Sequence, residues 1–231
     1  MAPLCAADPP DSLLRRVLER ETETQAVRAN YAYRQSVVVE ELETSGRKRG
    51  EYREIREVIF TPEGNRHEQM VKKPSNTLER LRMSDEDFQD IRDIQPFLFT
   101  RDQLHLYQTR FRGEETIAQY SCWVLEVKPR QILQGQRLFE GLVWVHQADF
   151  SVIQMEGRAV PQIYGRKEEN LFPRFMTVRK LVDGNYWFPD RTVGDDILPF
   201  RTGPLRMRLK IEYSAYKRFA AESTIKFEPP K

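Results

Sequence analysis

The stretch that most limits what this chain can become is Phe139–Gly157, FEGLVWVHQADFSVIQMEG. Two apolar-rich segments, Gly141–His146 and Phe150–Met155, are separated only by Gln147-Ala148-Asp149. A break that short returns the chain antiparallel, so the stretch predicts a β-hairpin. In its first arm Leu142, Trp144 and His146 share one face, while Val143 and Val145 share the other. Both faces carry apolar side chains, unlike a strand with one side in water. The sheet must therefore have something against each side, and function depends on what lies there.

The flanking sequence extends the sheet in both directions. Asp11 is placed to cap a helix whose Leu13, Leu14, Val17 and Leu18 recur at helical spacing, running toward Val27. From Tyr31 the period changes to two, giving a strand to about Glu40, a second at Tyr52–Phe60 and a third at Arg66–Lys73. Thr61-Pro62-Glu63-Gly64-Asn65 supplies the intervening turn. Ser84 with Asp87 three positions on forms a capping-box pattern, and Met83, Phe88, Ile91 and Ile94 give that helix an apolar stripe ended by Pro96. Strands are expected at Leu104–Phe111 and Thr116–Val127, with a turn at Arg112-Gly113 and a loop around Gly165–Asn170. Phe172–Val182 and Asn185–Phe188 flank Asp183-Gly184, the dipeptide best suited to a tight hairpin turn. In the last strand Leu205, Met207, Leu209, Ile211 and Tyr213 oppose Arg206, Arg208, Lys210, Glu212 and Ser214, with a continuation toward Ile225.

About ten strands on short connections predict a large antiparallel meander, and a sheet that wide must curl or close. The expected fold class is α+β, mainly β: a large curved antiparallel sheet, an incomplete barrel, with two or more helices covering its concave face. Residues 11–231 are expected to be one domain. Residues 1–10 read either as a disordered remnant left after signal-peptide cleavage or as the frayed end of a cytosolic protein. Cys5 and Cys122 form one disulfide in an oxidising compartment or remain two thiols.

Composition excludes several classes. With 37 basic and 35 acidic residues the formal net charge is +2, which gives no nucleic-acid or membrane signal. No apolar run approaches the ~18–20 residues that span a bilayer. His67, His105 and His146 lack metal-ligand spacing, and neither a nucleophile elbow nor a phosphate-binding glycine loop occurs. No catalytic residue, metal or cofactor is expected. A Cys122–His146 nucleophile pair is weighed against ordinary packing of Cys122 in the sheet, and packing is preferred. Asp195-Asp196, in a glycine-flanked loop, is weighed as a cation or acid–base site against a solvated loop, and the solvated loop is preferred because adjacent carboxylates on extended backbone point to opposite sides. The row Arg206, Arg208, Lys210 reads either as a face for anionic headgroups or, preferably, as the wet side of an edge strand.

Phe139-Glu140-Gly141-Leu142-Val143-Trp144-Val145, the Asp149–Gly157 return strand, Val182-Asp183-Gly184-Asn185-Tyr186-Trp187-Phe188-Pro189 and the closing strand RMRLKIEY (Arg206–Tyr213) occur here in a telling order. In that order, with the helix-strand-helix-strand plan, the chain from about Asp11 resembles the LolA-like family of outer-membrane lipoprotein-sorting proteins. It differs in a longer charged segment at Arg158–Asn170 and a long C-terminal tail. The resemblance implies an incomplete barrel with helices over an apolar cavity that receives acyl chains, in a non-enzymatic periplasmic carrier or chaperone. Its partners would be lipid or lipoprotein acyl chains and a membrane-bound release or acceptor protein. The alternative is a periplasmic sensor or protein-interaction module whose helices fill the cavity. Strand alternation assigns the lining to Trp123, Leu125, Val143, Val145, Met176, Val178, Leu209, Ile211 and Tyr213.

Overall fold

The computed structural model describes residues 11–43, 45–61, 65–133, 135–164 and 169–219. The expectations for residues 1–10, Cys5, the centre of the Thr61–Asn65 turn, most of the Gly165–Asn170 loop and Ile225 lie outside these. Helix α1 spans Leu13–Arg28. Ser12, rather than Asp11, holds its N-cap position and makes no side-chain capping bond. Four strands follow: β1 (Tyr31–Leu42), β2 (Lys48–Phe60), β3 (Arg66–Met70) and the short β4 (Ser75–Asn76). An insertion then carries α2 (Asp85–Gln89), a π-helical turn at Asp90–Ile94 and a 3-10 turn at Arg101–Leu106. Strands β5 (Tyr107–Ile117), β6 (Tyr120–Pro129), β7 (Leu138–His146) and β8 (Val152–Val160) come next. A two-stranded excursion, β9 (Ile163–Tyr164) with β10 (Glu169–Asn170), precedes β11 (Phe175–Val182), β12 (Tyr186–Leu198) and β13 (Leu205–Arg218).

One open antiparallel sheet of eleven strands results, in the order β3-β2-β1-β13-β12-β11-β8-β7-β6-β5 with β4 on β2. It is two meanders rather than one, because β1 is zipped to β13 through eleven register pairs from Tyr31↔Arg218 to Leu42↔Arg206. Strand β13 is therefore interior, which corrects its reading as an edge. Arg206 and Arg208 are not merely wet. Both donate to Asp195 of the neighbouring strand at 2.7–3.0 Å. Asp195 and Asp196 lie within β12, not in a loop.

Local chemistry explains the turns. Asp183 and Gly184 both take positive φ, 49° and 72°, as the tight turn between β11 and β12 requires. Arg112-Gly113, expected to be a turn, is instead a bulge between Phe111 and Gly113 in a strand that continues to Ile117. The hairpin reverses after it, where Ala118 has φ 54°. Leu104–Leu106, expected to be strand, forms the end of the 3-10 turn. Among the described residues no helix is long and apolar enough to cross a membrane.

Candidate functional site

Side chains alternate along each strand, so a row of residues on one face can be followed across the whole sheet through its pairings. One row runs Val37, Ile211, Thr192, Thr177, Met155, Val143, Leu125, Phe111. The next runs Val39, Leu209, Gly194, Phe175, Gly157, Gly141, Val127. This face carries α1 and the insertion. Leu13, Val17 and Leu18 of α1 and Ile94, Phe97 and Phe99 of the insertion pack with Trp123, Leu125, Val143, Val145 and Met155. Leu81 and Ile91 pack with Val37, Val39, Leu209, Ile211 and Tyr213 in a second apolar cluster.

The first cluster is built around a glycine pair. Gly141 and Gly157 face each other across β7 and β8, and the Phe139 ring lies against both. A Cβ on Gly157 would stand 2.5 Å from that ring and 2.3 Å from the Glu140 carbonyl. Phe97 then stacks on Phe139 with ring centroids 4.9 Å apart and meets Tyr107 edge-on at 5.5 Å. The Phe139 N–H donates to the Tyr107 hydroxyl at 3.1 Å, and burial pushes that hydroxyl up to about 12. Phe97 is thus a plug, seated on a flat aromatic floor that only two glycines could clear.

Polar groups tie the insertion and α1 to the sheet between the two clusters. Arg179 reaches Glu21 of α1 through two bonds of 2.8 and 3.0 Å, and donates to the carbonyls of Phe97 and Val152 at 2.7 and 3.1 Å. Thr177 donates to the Gln95 carbonyl at 2.7 Å and shares a hydrogen bond with Thr192. The buried Glu41 carboxylate accepts the backbone N–H groups of Glu79, Arg80 and Leu81 at 2.8–3.1 Å. Ser84 and Asp87 form the expected capping box. Burial pushes the Asp87 carboxyl up to about 7 against the hydrogen bonds from Ser84. Burial also raises Asp90, opposed by Arg137, which pairs with it through Nε at 3.0 Å.

Seven of the nine expected lining residues occupy this helix-bearing face: Trp123, Leu125, Val143, Val145, Leu209, Ile211 and Tyr213. Met176 and Val178 do not. Their partners are Glu156 and Gln154 on one side and Val193 and Arg191 on the other, which places them on the opposite face. The physical reason is that β11 turns its polar residues, Thr177 and Arg179, inward to hold the insertion and α1. Hydrophobic alternation therefore reads inverted there. Met176 lines, with Val193 and Lys210, a cleft of about 600 Å³.

The opposite face gathers Cys122, Val124, Trp144, Ile153 and Trp187. Cys122 and His146 are register partners, as the nucleophile reading requires. Burial, however, raises the thiol to about 11, and His146 Nδ1 is 2.9 Å from Asp149. The thiol at neutral pH is protonated, which is the wrong state for a nucleophile.

No family model matches the chain, and no curated protein matches it. Solved structures do. A LolA-superfamily protein from Nitrosomonas europaea is 14% identical, covering 90% of this chain and 94% of that one at a TM-score of 0.41. A DUF1329-family protein from Desulfovibrio piger is 14% identical over 94% and 96% of the two chains, with a TM-score of 0.44. An outer-membrane lipoprotein-sorting domain from Vibrio parahaemolyticus is 14% identical over 91% and 95%, with a TM-score of 0.39. Each of these is a likeness of structure at low sequence identity.

Proposed function

We propose that this is a non-enzymatic binding protein of the bacterial cell envelope, a periplasmic carrier or chaperone that takes acyl chains of a lipoprotein or another lipid. The chains would lie against the helix-bearing face, where Phe97, Phe99 and the apolar stripe of α1 now sit. One observation carries the reading: the apolar face is closed by segments outside the sheet, seated on Phe139 through aromatic contacts and fixed at a few polar posts. The energies are commensurate. Truncating a buried phenylalanine costs about 3–5 kcal/mol, and each buried methylene contributes about 0.8 kcal/mol, so roughly five methylenes offset one displaced plug. A membrane-bound acceptor would recover the chain when the plug returns.

A second reading has its own observation. Val143, Val145, Leu209 and Ile211 are all fully buried, which favours a filled interior with an outer surface that would serve a protein partner.

The test is native mass spectrometry and lipid extraction of protein purified from a bacterial periplasm, with titration of a fluorescent fatty acid into wild type and Phe97→Ala. A stoichiometric lipid, or an acyl probe bound more tightly by the variant, is the expected result. A lipid-free mass together with no uptake by either protein overturns the carrier in favour of the filled interaction module.

A further inference from the structure

A cavity of about 270 Å³ opens between the C-terminal half of α1, the ends of β2 and β3, and the insertion. Its polar wall is Gln25, Arg28, Arg66, Arg92, Asp93 and Gln103, and its apolar wall includes Phe97 and Leu98. The three arginines are not equivalent. Arg66 is committed: it donates to the Arg92 carbonyl and to Gln35 Oε1, each at 3.2 Å, and pairs with Glu68 at 2.8 Å. Arg28 and Arg92 make no side-chain hydrogen bond with another described residue, although burial raises the Asp93 carboxyl and the nearby charges of Arg92 and Arg66 oppose that rise. Arg28 Nη1 is nonetheless shut off from solvent, as is the Gln103 amide oxygen. A guanidinium nitrogen buried without an acceptor is costly, and it is held there by the fold rather than by a partner. The three guanidiniums also outnumber the nearby carboxylates, Asp93 in the wall and Glu68 behind Arg66.

We propose that this cavity is a site for an anionic oxygen group, a phosphate or carboxylate, bound by Arg28 and Arg92, with the amides of Gln25 and Gln103 as further donors. Planar guanidiniums pair with such groups through two parallel hydrogen bonds, and Gln103 can present its amide donor by reversing the end it turns inward. Phe97 belongs both to the wall of this cavity and to the plug over Phe139. An amphiphile whose tail displaces Phe97 would therefore leave its head at the arginines. That pairing of head and tail rests on the carrier reading; the anion site itself does not.

Three probes separate the cases in calorimetric titration of the full chain: inorganic phosphate, a monoacylglycerol phosphate, and the same monoacylglycerol without phosphate. Each is run on wild type, Arg28→Gln, Arg92→Gln, the double variant and the charge-retaining Arg28→Lys, with thermal melts to show that the variants fold. The expected result is that wild type prefers the phosphate-bearing amphiphile, that each Gln variant loses about tenfold in that affinity, and that Arg28→Lys keeps part of it. Binding of the neutral amphiphile should not change. Phosphate bound by wild type and lost in the double variant, with neither amphiphile bound, would sustain the anion site and remove the carrier reading. Equal binding of both amphiphiles, indifferent to all the substitutions, would overturn the anion site and leave the carrier reading intact. No binding of any phosphate-bearing probe would overturn it as well.

Discussion

Arg179 joins three parts of the molecule through one guanidinium: Glu21 on α1, the Phe97 carbonyl on the insertion and the Val152 carbonyl on β8. Its side chain and that of Glu21 are essentially fully buried. Removing one partner of such a pair strands the other charge in a low-dielectric interior, at about 3–5 kcal/mol. Arg179→Ala and Glu21→Ala are each expected to lose that much in chemical denaturation. The double variant should lose clearly less than the two combined, which a double-mutant cycle reads directly. Asp87 makes a different prediction. Its folded carboxyl sits near 7 against an ordinary value of 3.8, so the folded chain holds a proton that the unfolded chain releases between about pH 4 and pH 7. The stabilisation is complete below that window and is lost as pH rises through it, by up to ~1.4 kcal/mol per pH unit. Asp87→Asn should flatten the stability profile between pH 4 and 7; an unchanged slope would show that Asp87 is not its source.

At the scale of elements, the glycine pair of β7 and β8 decides how the plug seats. Gly157→Ala would drive a methyl into the Phe139 ring and the Glu140 carbonyl. A loss of about 1–3 kcal/mol from overpacking is expected, with a changed near-ultraviolet circular dichroism spectrum as Phe139 and Phe97 move. Much of this level was legible in the sequence. Ser84 and Asp87 announced their helix, Asp183-Gly184 its turn, and the Phe139–Gly157 stretch its hairpin, because each signal is local and carries its own steric or hydrogen-bonding reason. The course of strand β11 was legible too, but which way its side chains face was not. Beyond Phe175 its inward residues, Thr177 and Arg179, are polar because they answer groups far away in sequence, Gln95 and Glu21, so the alternation of Met176 and Val178 pointed to the wrong face. The same holds for the cavity at Arg28 and Arg92. Their neighbourhood exists only once α1 and the insertion meet, and no spacing in the chain marks it.

At the scale of the molecule, the open sheet is held together at its middle by β13, the last strand among the described residues. Tyr31–Leu42 pairs with it on one side and Arg191–Leu198 on the other. A chain ending at Pro204 should therefore lose cooperative unfolding altogether, rather than fray at one edge as it would if β13 were peripheral. A single sharp thermal transition in that truncated chain would contradict this account.

The position of β13 also fixes an order of events during synthesis. Until Leu205–Arg218 has been made, β1 and β12 present two long strands with nothing between them, and both await the same segment. Any nascent chain is thus a pair of open templates for strands of neighbouring molecules. Its solubility depends on keeping those two edges apart from other chains until Leu205–Arg218 fills the gap between them.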